Sequence, residues 1–466
     1  MRSGEIIFVV ISAFTFVYTM LHQKLLKWLA WILAACSAGS LLFHLIFEGA
    51  RWQMMPVYGL PLLNLIILFL RRASAVRRFT RFAIAKVLIG LIAGLYLIVA
   101  LLIPFALPVF GFVSPSGPYS VGKISYHLID DSRQEIETDS PNDRRELMIT
   151  IWYPAVISQQ NAQRAPYING LPEMAKALSK QYGIPDFLFS YLQLVKTNAY
   201  IGPAVSGQES KYPVVLFLHG FPGMRETGTF QVEELASHGY IVVGIDHSYS
   251  AIATVFPDGR VALSASSIPN MIDVASSDRM IRDIWVPDSR FVISQLLMIN
   301  QLDPNGLLTG KLDLSRMGVM GHSFGGAEAV QLLLLEDRIK AGINMDGTLF
   351  GSQFPMDGLR KPLLYMNTDN DRWEEGLTEP PPPMEVLNQL GMTQEQFNEL
   401  TLVISDRRKK IYEHAQIVTV HKARHMSFSD YYLWSPYLAF IDKVSPLKHH
   451  RIINENTVAF FDRYLK

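Results

Sequence analysis

Gly321-His322-Ser323-Phe324-Gly325-Gly326 lies between the apolar run Met317-Gly318-Val319-Met320 and helix-forming residues that run from Ala327 through Leu335 to Asp337. A bare glycine-x-serine-x-glycine recurs by chance in any long chain. Strand before and helix after set this one apart from a glycine-rich turn and make it read as a nucleophile elbow. In such a turn the serine is held with its hydroxyl exposed, and the flanking glycines are needed because a Cβ would clash with neighbouring backbone.

Outward from the elbow, strands and helices alternate. Val214-Val215-Leu216-Phe217-Leu218 is a continuous apolar run, as expected of a strand buried on both faces, and it stops at His219-Gly220-Phe221-Pro222-Gly223. A helix is predicted over Phe230 to His238, a second buried strand over Tyr240 to Ile245 and a helix around Met280 to Asn300. Further strands are predicted over Ala341 to Met345, Pro362 to Met366 and Ile417 to Val420. This succession predicts an α/β fold with a mostly parallel sheet flanked by helices, its chemistry at the carboxyl edge. Upstream, Glu146 to Pro154 reads as an early strand ending at the proline. Residues 155 to 210 read as an insertion over the sheet, with helices at Pro172 to Tyr182 and Phe187 to Val195. A second insertion, 368 to 413, holds Pro380 to Pro383, a Thr393-x-x-Gln396 capping box opening a helix, and the basic run Arg407 to Lys410.

The first 110 residues differ in kind. Four apolar stretches, Ile6 to Leu21, Leu25 to Phe47, Met54 to Leu70 and Val87 to Val109, are candidate membrane helices, although the first and third are short of the ~20 residues a span needs. Three spans plus one interfacial segment is the alternative. A cleavable signal peptide has one short apolar core, not four in succession. The loop with Arg71, Arg72, Arg77, Arg78, Arg81 and Lys86 carries no acidic residue, and Lys24 and Lys27 follow the first stretch. The positive-inside rule puts both loops in the cytoplasm, so the region from about Gly111 onward is expected on the far side of a cell membrane. His44 and Asn64 within the stretches read as single hydrogen bonds between helices. Over the 466 residues, 42 basic and 42 acidic side chains balance, which gives no argument for a nucleic-acid partner. The one cysteine, Cys36, excludes an intrachain disulfide and a cysteine-based metal site.

A serine hydroxyl needs a base within hydrogen-bond reach and an acid to orient that base. Among the histidines after Ser323, His425 stands on a loop just past the strand Ile417 to Val420. His421 ends that strand and is read as a buried structural residue. For the acid, Asp346 follows the strand Ala341 to Met345, while Asp369 and Asp371 follow the next strand, and either strand end can reach a histidine loop. The backbone N–H groups of Phe324 and Phe221 stand where an oxyanion site is built in such folds. The alternative for His219-Gly220 is a strand-ending turn with no chemical role.

Three segments together resemble the secreted platelet-activating-factor acetylhydrolase family, within the α/β-hydrolases. They are Leu216-Phe217-Leu218-His219-Gly220, then Leu235-Ala236-Ser237-His238-Gly239-Tyr240 continuing to Asp246-His247-Ser248-Tyr249-Ser250-Ala251, and Gly321 to Ala327. The opening Gly117 to Gly122 and the strand with Tyr153-Pro154 are similar too, so the resemblance covers 117 to 466. It implies Asp346 as the acid and His425, ahead of Phe428 and Asp430, as the base. It implies calcium-independent removal of short or oxidised acyl chains from the second position of phospholipids. The secreted enzymes lack the membrane stretches, and Asp246-His247-Ser248-Tyr249 follows their version only loosely.

The expectation is therefore a membrane-anchored serine esterase: a transmembrane region over 1–110, then a catalytic domain over 111–466 with Ser323, His425 and Asp346 as triad. It needs no metal or organic cofactor, and its partners are an ester or phospholipid substrate and the bilayer. The alternatives are a general carboxylesterase or dienelactone-hydrolase-like enzyme acting on small soluble esters, an amidase or peptidase with the same triad, and a receptor or scaffold that has lost activity.

Overall fold

The computed structural model describes residues 1–466 except 22–26, 71–82, 159–161, 266–272, 353, 356–357, 370–383 and 390–391. Lys24, the arginines from Arg71 to Arg81, Asp371 and Pro380 to Pro383 therefore lie outside the described residues, as do the side chains of Lys27 and Lys86. The chain forms two compact units. One comprises Met1–Phe110 with Phe187–Val195 and Leu433–Ile441. The other comprises Gly111–Asp186, Lys196–Tyr432 and Asp442–Lys466.

In the first unit the four apolar stretches are helices, Ser3–Leu21, Lys27–Phe47, Met55–Leu70 and Ala83–Ala106. All four are long and apolar enough to cross a membrane once the short turn Trp52–Met54 is counted with the third. Phe8, Phe16, Val57, Leu60 and Ala100 form their common core. A buried ion pair ties the start of the first helix to the segment before the third, with Arg51 Nε 2.7 Å from Glu5 Oε1. His44 Nε2 meets Tyr58 OH at 2.8 Å, a bond between helices as its position suggested. Asn64 departs from expectation: it is fully buried, and neither amide atom has a hydrogen-bond partner among the described residues.

The second unit is built on an eleven-stranded sheet. Its strands in chain order are β1 (Ser120–Gln134), β2 (Arg144–Val156), β3 (Arg164–Pro166), β4 (Lys196–Ile201), β5 (Ala204–Val205), β6 (Tyr212–Leu218) and β7 (Ile241–Asp246). The hairpin β8 (Ala253–Val255) and β9 (Val261–Leu263) stands apart, followed by β10 (Leu312–His322), β11 (Ile339–Met345), β12 (Leu363–Thr368) and β13 (Gln416–Val420). The spatial order is β13-β12-β11-β10-β6-β7-β2-β1-β4-β3, with β5 beside β2. The six strands from β13 to β7 pair in parallel, and β2 joins β7 antiparallel.

Period-two alternation divides each central strand between two cores. Val214, Leu216 and Leu218 of β6 pack with the helices Val286–Gln301, Phe324–Leu335 and Gln394–Tyr412. Val215 and Phe217 pack on the other face with Thr229–Ser237 and the C-terminal helix Pro446–Leu465. The Thr393 capping box opens Gln394–Tyr412 as its residues require.

Two readings of the sequence are corrected here. Residues 155 to 210 do not simply lie over the sheet, since β3, β4 and β5 are part of it. Pro154 does not end its strand, because β2 continues to Val156. Pairing with β7 spans only Met148 to Trp152, and beyond it β5 takes up that side, where Pro154 O accepts from Ser206 N at 2.8 Å, a bond that asks no N–H of the proline.

Phe461, fully buried, packs where β10 carries Gly318, whose missing Cβ would sit 2.7 Å from the ring. Phe461→Ala should lower stability by about 3–5 kcal/mol through the cavity it leaves, measured as the denaturation midpoint of the detergent-solubilised protein.

Candidate active site

Three adjacent parallel strands, β6, β10 and β11, bring their carboxyl ends to one edge. Ser323 follows β10 directly with φ 55° and ψ −119°, and the next residue, Phe324, begins a helix. A non-glycine residue in this region costs about 1–3 kcal/mol and persists only where its surroundings over-determine it. Here they do. The Ser323 N–H donates to Met345 O at 2.9 Å, and its carbonyl accepts from Gly326 N at 2.9 Å. A Cβ on Gly325 would collide with the Leu218 and His219 carbonyl oxygens, and one on Gly321 with the Gly325 carbonyl. The helix can start this close to the sheet only because both positions are glycine.

His425 Nε2 lies 2.9 Å from Ser323 Oγ, and His425 Nδ1 lies 2.7 Å from Asp346 Oδ2. A carboxylate accepts, so Nδ1 carries the ring proton and the Nε2 lone pair receives the Ser323 hydroxyl. Asp346 follows β11 with φ 52° and donates its N–H to Met366 O at 2.7 Å. Asn344 braces the next residue, its Oδ1 accepting from Gly347 N at 2.8 Å and its Nδ2 donating to Gly347 O at 3.2 Å. His425 opens a single 3-10 turn, His425–Phe428, and its side chain is 47% exposed, so the end of this relay is open to solvent.

The other acid and histidine find each other. His421 Nδ1 is 2.8 Å from Asp369 Oδ1, and the His421 side chain is 83% exposed, so it is not the buried structural residue expected of a strand end. Neighbouring ends of β12 and β13 make a surface pair, away from Ser323.

Phe324 is the first residue of its helix, where an N–H has no intrahelical acceptor. The turn carrying Phe221 runs beside the elbow. A Cβ on Gly220 would sit 3.2 Å from Ser323 Cβ, and the Phe221 and Phe324 rings are 5.9 Å apart. Among the described residues no group of three or more His, Cys, Asp or Glu side chains is arranged to hold a metal ion.

Two residues that the sequence reading quoted without giving them a role brace the site. His322 Nε2 donates to the His425 carbonyl at 2.9 Å, so the residue before the serine pins the histidine loop. Its burial holds the imidazole well below its ordinary pKa and the neighbouring His425 adds to the effect, which keeps it neutral. Asp430 is buried. It accepts from Thr229 N at 3.0 Å and Tyr167 OH at 3.1 Å, tying the segment after His425 to the start of helix Thr229–Ser237. Neither role carries a sequence pattern, because each depends on a contact between distant segments.

The sheet order and the strand–turn–helix at Ser323 define an α/β-hydrolase fold with a serine at the nucleophile position. Residues 110–466 match the model of the family described as platelet-activating factor acetylhydrolase, isoform II, and the chain belongs to that family. It is 29% identical over 280 residues to the platelet-activating factor acetylhydrolase of Cavia porcellus, which covers 54% of this chain and 59% of that protein, so the match spans less than two thirds of that relative. It is 26% identical to a probable 1-alkyl-2-acetylglycerophosphocholine esterase of Arthroderma benhamiae, over 56% of this chain and 67% of that protein. Among solved structures, a ferulic acid esterase from Streptomyces cinnamoneus superposes with a TM-score of 0.55 at 27% identity, covering 77% of this chain and 94% of that one.

Gly325→Ala should force the elbow off the sheet. The rate at which a fluorophosphonate labels Ser323 is expected to fall about 100-fold, the scale of an ångström-level misplacement, with far-UV circular dichroism unchanged.

Proposed function

We propose that the chain is a membrane-anchored serine ester hydrolase whose catalytic domain, 111–466, acts on phospholipids bearing a short or oxidised acyl chain at the second position. The observation that carries this reading is the unbroken relay from Ser323 Oγ through His425 to Asp346, built on a strained serine. Family membership and the two named phospholipid esterases among its relatives support the substrate class.

In this mechanism Ser323 Oγ attacks the ester carbonyl while His425 Nε2 takes its proton, and Asp346 stabilises the resulting imidazolium. The oxyanion forms against the N–H groups of Phe324 and Phe221. Collapse of the tetrahedral intermediate expels the lysophospholipid alcohol with the proton from His425 and leaves an acyl-Ser323. Water, deprotonated by His425, then releases the acid and frees the serine. Every proton moves between Ser323, His425, substrate and water, so the cycle needs no metal.

The four candidate spans and the basic loop between the third and fourth support an anchor with the catalytic domain outside the cytoplasm. An anchor keeps the domain at a bilayer, where phospholipid esters are concentrated. A second reading, hydrolysis of small soluble esters, is favoured by the likeness to a ferulic acid esterase over nearly all of that enzyme.

The test is hydrolysis by the purified protein in detergent of phospholipids with acetyl or long acyl chains at the second position, and of a soluble short-chain ester. Cleavage of the acetyl lipid is expected, with Ser323→Ala and His425→Ala each losing about 10⁴-fold or more in kcat. His421→Ala and Asp369→Asn, which disrupt only the surface pair, should stay within about twofold of the parent protein. Activity on the soluble ester alone would favour the second reading.

A further inference from the structure

Among the buried titratable groups outside the proposed cycle, one has a carboxylate at each end. His247, just past β7, is fully buried, and both ring nitrogens meet carboxylates: Nδ1 lies 3.0 Å from Asp288 Oδ2 and Nε2 lies 3.1 Å from Glu328 Oε2. A neutral imidazole would point a lone pair at one of these anions, whereas the imidazolium donates to both. Glu328 stands in the second turn of the helix that begins at Phe324, and its other oxygen accepts from Ser289 Oγ at 2.7 Å. Asp288 is held from its other side by Arg145, through Nε at 3.1 Å and Nη2 at 2.6 Å, and by Arg133 Nη1 at 2.9 Å.

The same histidine reaches both segments of the oxyanion site. Its ring stacks on Trp285, with centroids 4.2 Å apart at 13°. Trp285 in turn meets Phe324 at 4.9 Å and His219 at 5.2 Å, both edge-on. The backbone N–H of His247 donates to His219 Nε2 at 3.4 Å, and His219 Nδ1 donates to Gly220 O at 2.7 Å. Removing the proton from His247 would break one of its two carboxylate bonds and leave a buried anion uncompensated behind the elbow helix.

We propose that His247, as an imidazolium, is a positioning residue for the oxyanion site: it neutralises Glu328 on the elbow helix and holds the Phe221 and Phe324 segments in register. The proposal rests on the reading that these two N–H groups receive the oxyanion. A negative carboxylate left unpaired on the elbow helix opposes the negative charge that develops at the substrate carbonyl, so the pair matters most in the transition state.

Burial alone would drive the proton off, but Glu328 and Asp288 outweigh it and raise the group from its ordinary 6.5 to about 9. The other groups facing it are His219, kept neutral by its burial, and Asp246, which pairs with Arg225. Arg145 and Arg133 stand beyond Asp288. The sign follows directly: the positive charge is present below about pH 9 and is lost as pH rises through that value.

The experiment measures kcat and KM against pH, on the acetyl phospholipid and on a soluble short-chain ester, for the full chain in detergent, with Glu328→Gln, His247→Gln and the double variant. We expect His247→Gln to lower kcat about 30-fold with KM within about threefold, a loss confined to the transition state. The double variant should recover about tenfold of that, since no buried anion is then left unpaired. The kcat of the parent protein should decline above about pH 9, and Glu328→Gln, removing the largest upward influence on His247, should bring that decline to lower pH. A kcat for His247→Gln within about twofold of the parent, or a double variant no better than His247→Gln, would overturn the proposal. Should His247→Gln fail to fold, the Glu328→Gln profile decides alone, and an unmoved alkaline limb counts against it. Absence of Ser323-dependent hydrolysis in the parent protein would overturn the triad reading and this proposal together, while an active parent with unaffected variants overturns only this one.

Discussion

The constraint on which the rest of the site depends is the backbone of Ser323, held at positive φ between a strand and a helix that almost touch. A residue there relaxes unless its neighbours prevent it. Two devices prevent it. Hydrogen bonds from Ser323 N to Met345 O and from Gly326 N to Ser323 O fix both sides of the turn, and the absent side chains of Gly321 and Gly325 let helix and sheet close on it. The strain is stored where the hydroxyl must protrude, and burial of the helix Phe324–Leu335 against β10 and β11 offsets it.

Strand order then decides which acid serves which histidine. β11 lies beside β10, so a residue leaving β11 stands next to the elbow, and that residue is Asp346. β12 lies between β11 and β13, so Asp369 at its end falls beside His421 at the end of β13. His425 escapes that pairing because the chain turns at Lys422, φ 64°, before reaching it. His322 then holds the loop by its carbonyl. Three residues of loop, Lys422 to Arg424, separate an exposed surface pair from a relay aligned on the serine.

What could be read in advance follows from the same physics. Strands β6, β7 and β12, and β10 and β11 from Met317 and Ala341 onward, are buried on both faces and so appear as largely apolar runs, and the elbow needs residue types that few other turns need. The antiparallel side of the sheet was much less legible. β1 carries Asp130, Asp131, Ser132 and Arg133 in its second half, and β3 has only three residues, so neither offers an apolar period. Pro154 misled because whether a proline ends a strand depends on how far its neighbour extends, and no local pattern records that. From the residues alone the acid stayed open among Asp346, Asp369 and Asp371, since strand neighbours are a property of the whole sheet. The resemblance named Asp346, and the geometry places that carboxylate on His425.

The histidines around the elbow show how one residue type is divided among tasks by burial and partner. His219 and His322 are buried with carbonyl acceptors and, among the described residues, no carboxylate in hydrogen-bond contact, and desolvation keeps both neutral. His450, stacked on Phe230 at 3.7 Å and donating to Ser429 O, is pushed down to about 4 in the same way. None of them adds a fixed positive charge beside His425, which in the proposed cycle gains and loses a proton. His247 has the opposite surroundings, with a carboxylate on each nitrogen, and there the charged form wins although the site is just as dry. The charge is thereby kept one layer beneath the reacting groups, where Asp288 and Glu328 balance it. A cation placed at His322 instead would oppose the protonation of His425 on which the proposed proton transfer depends.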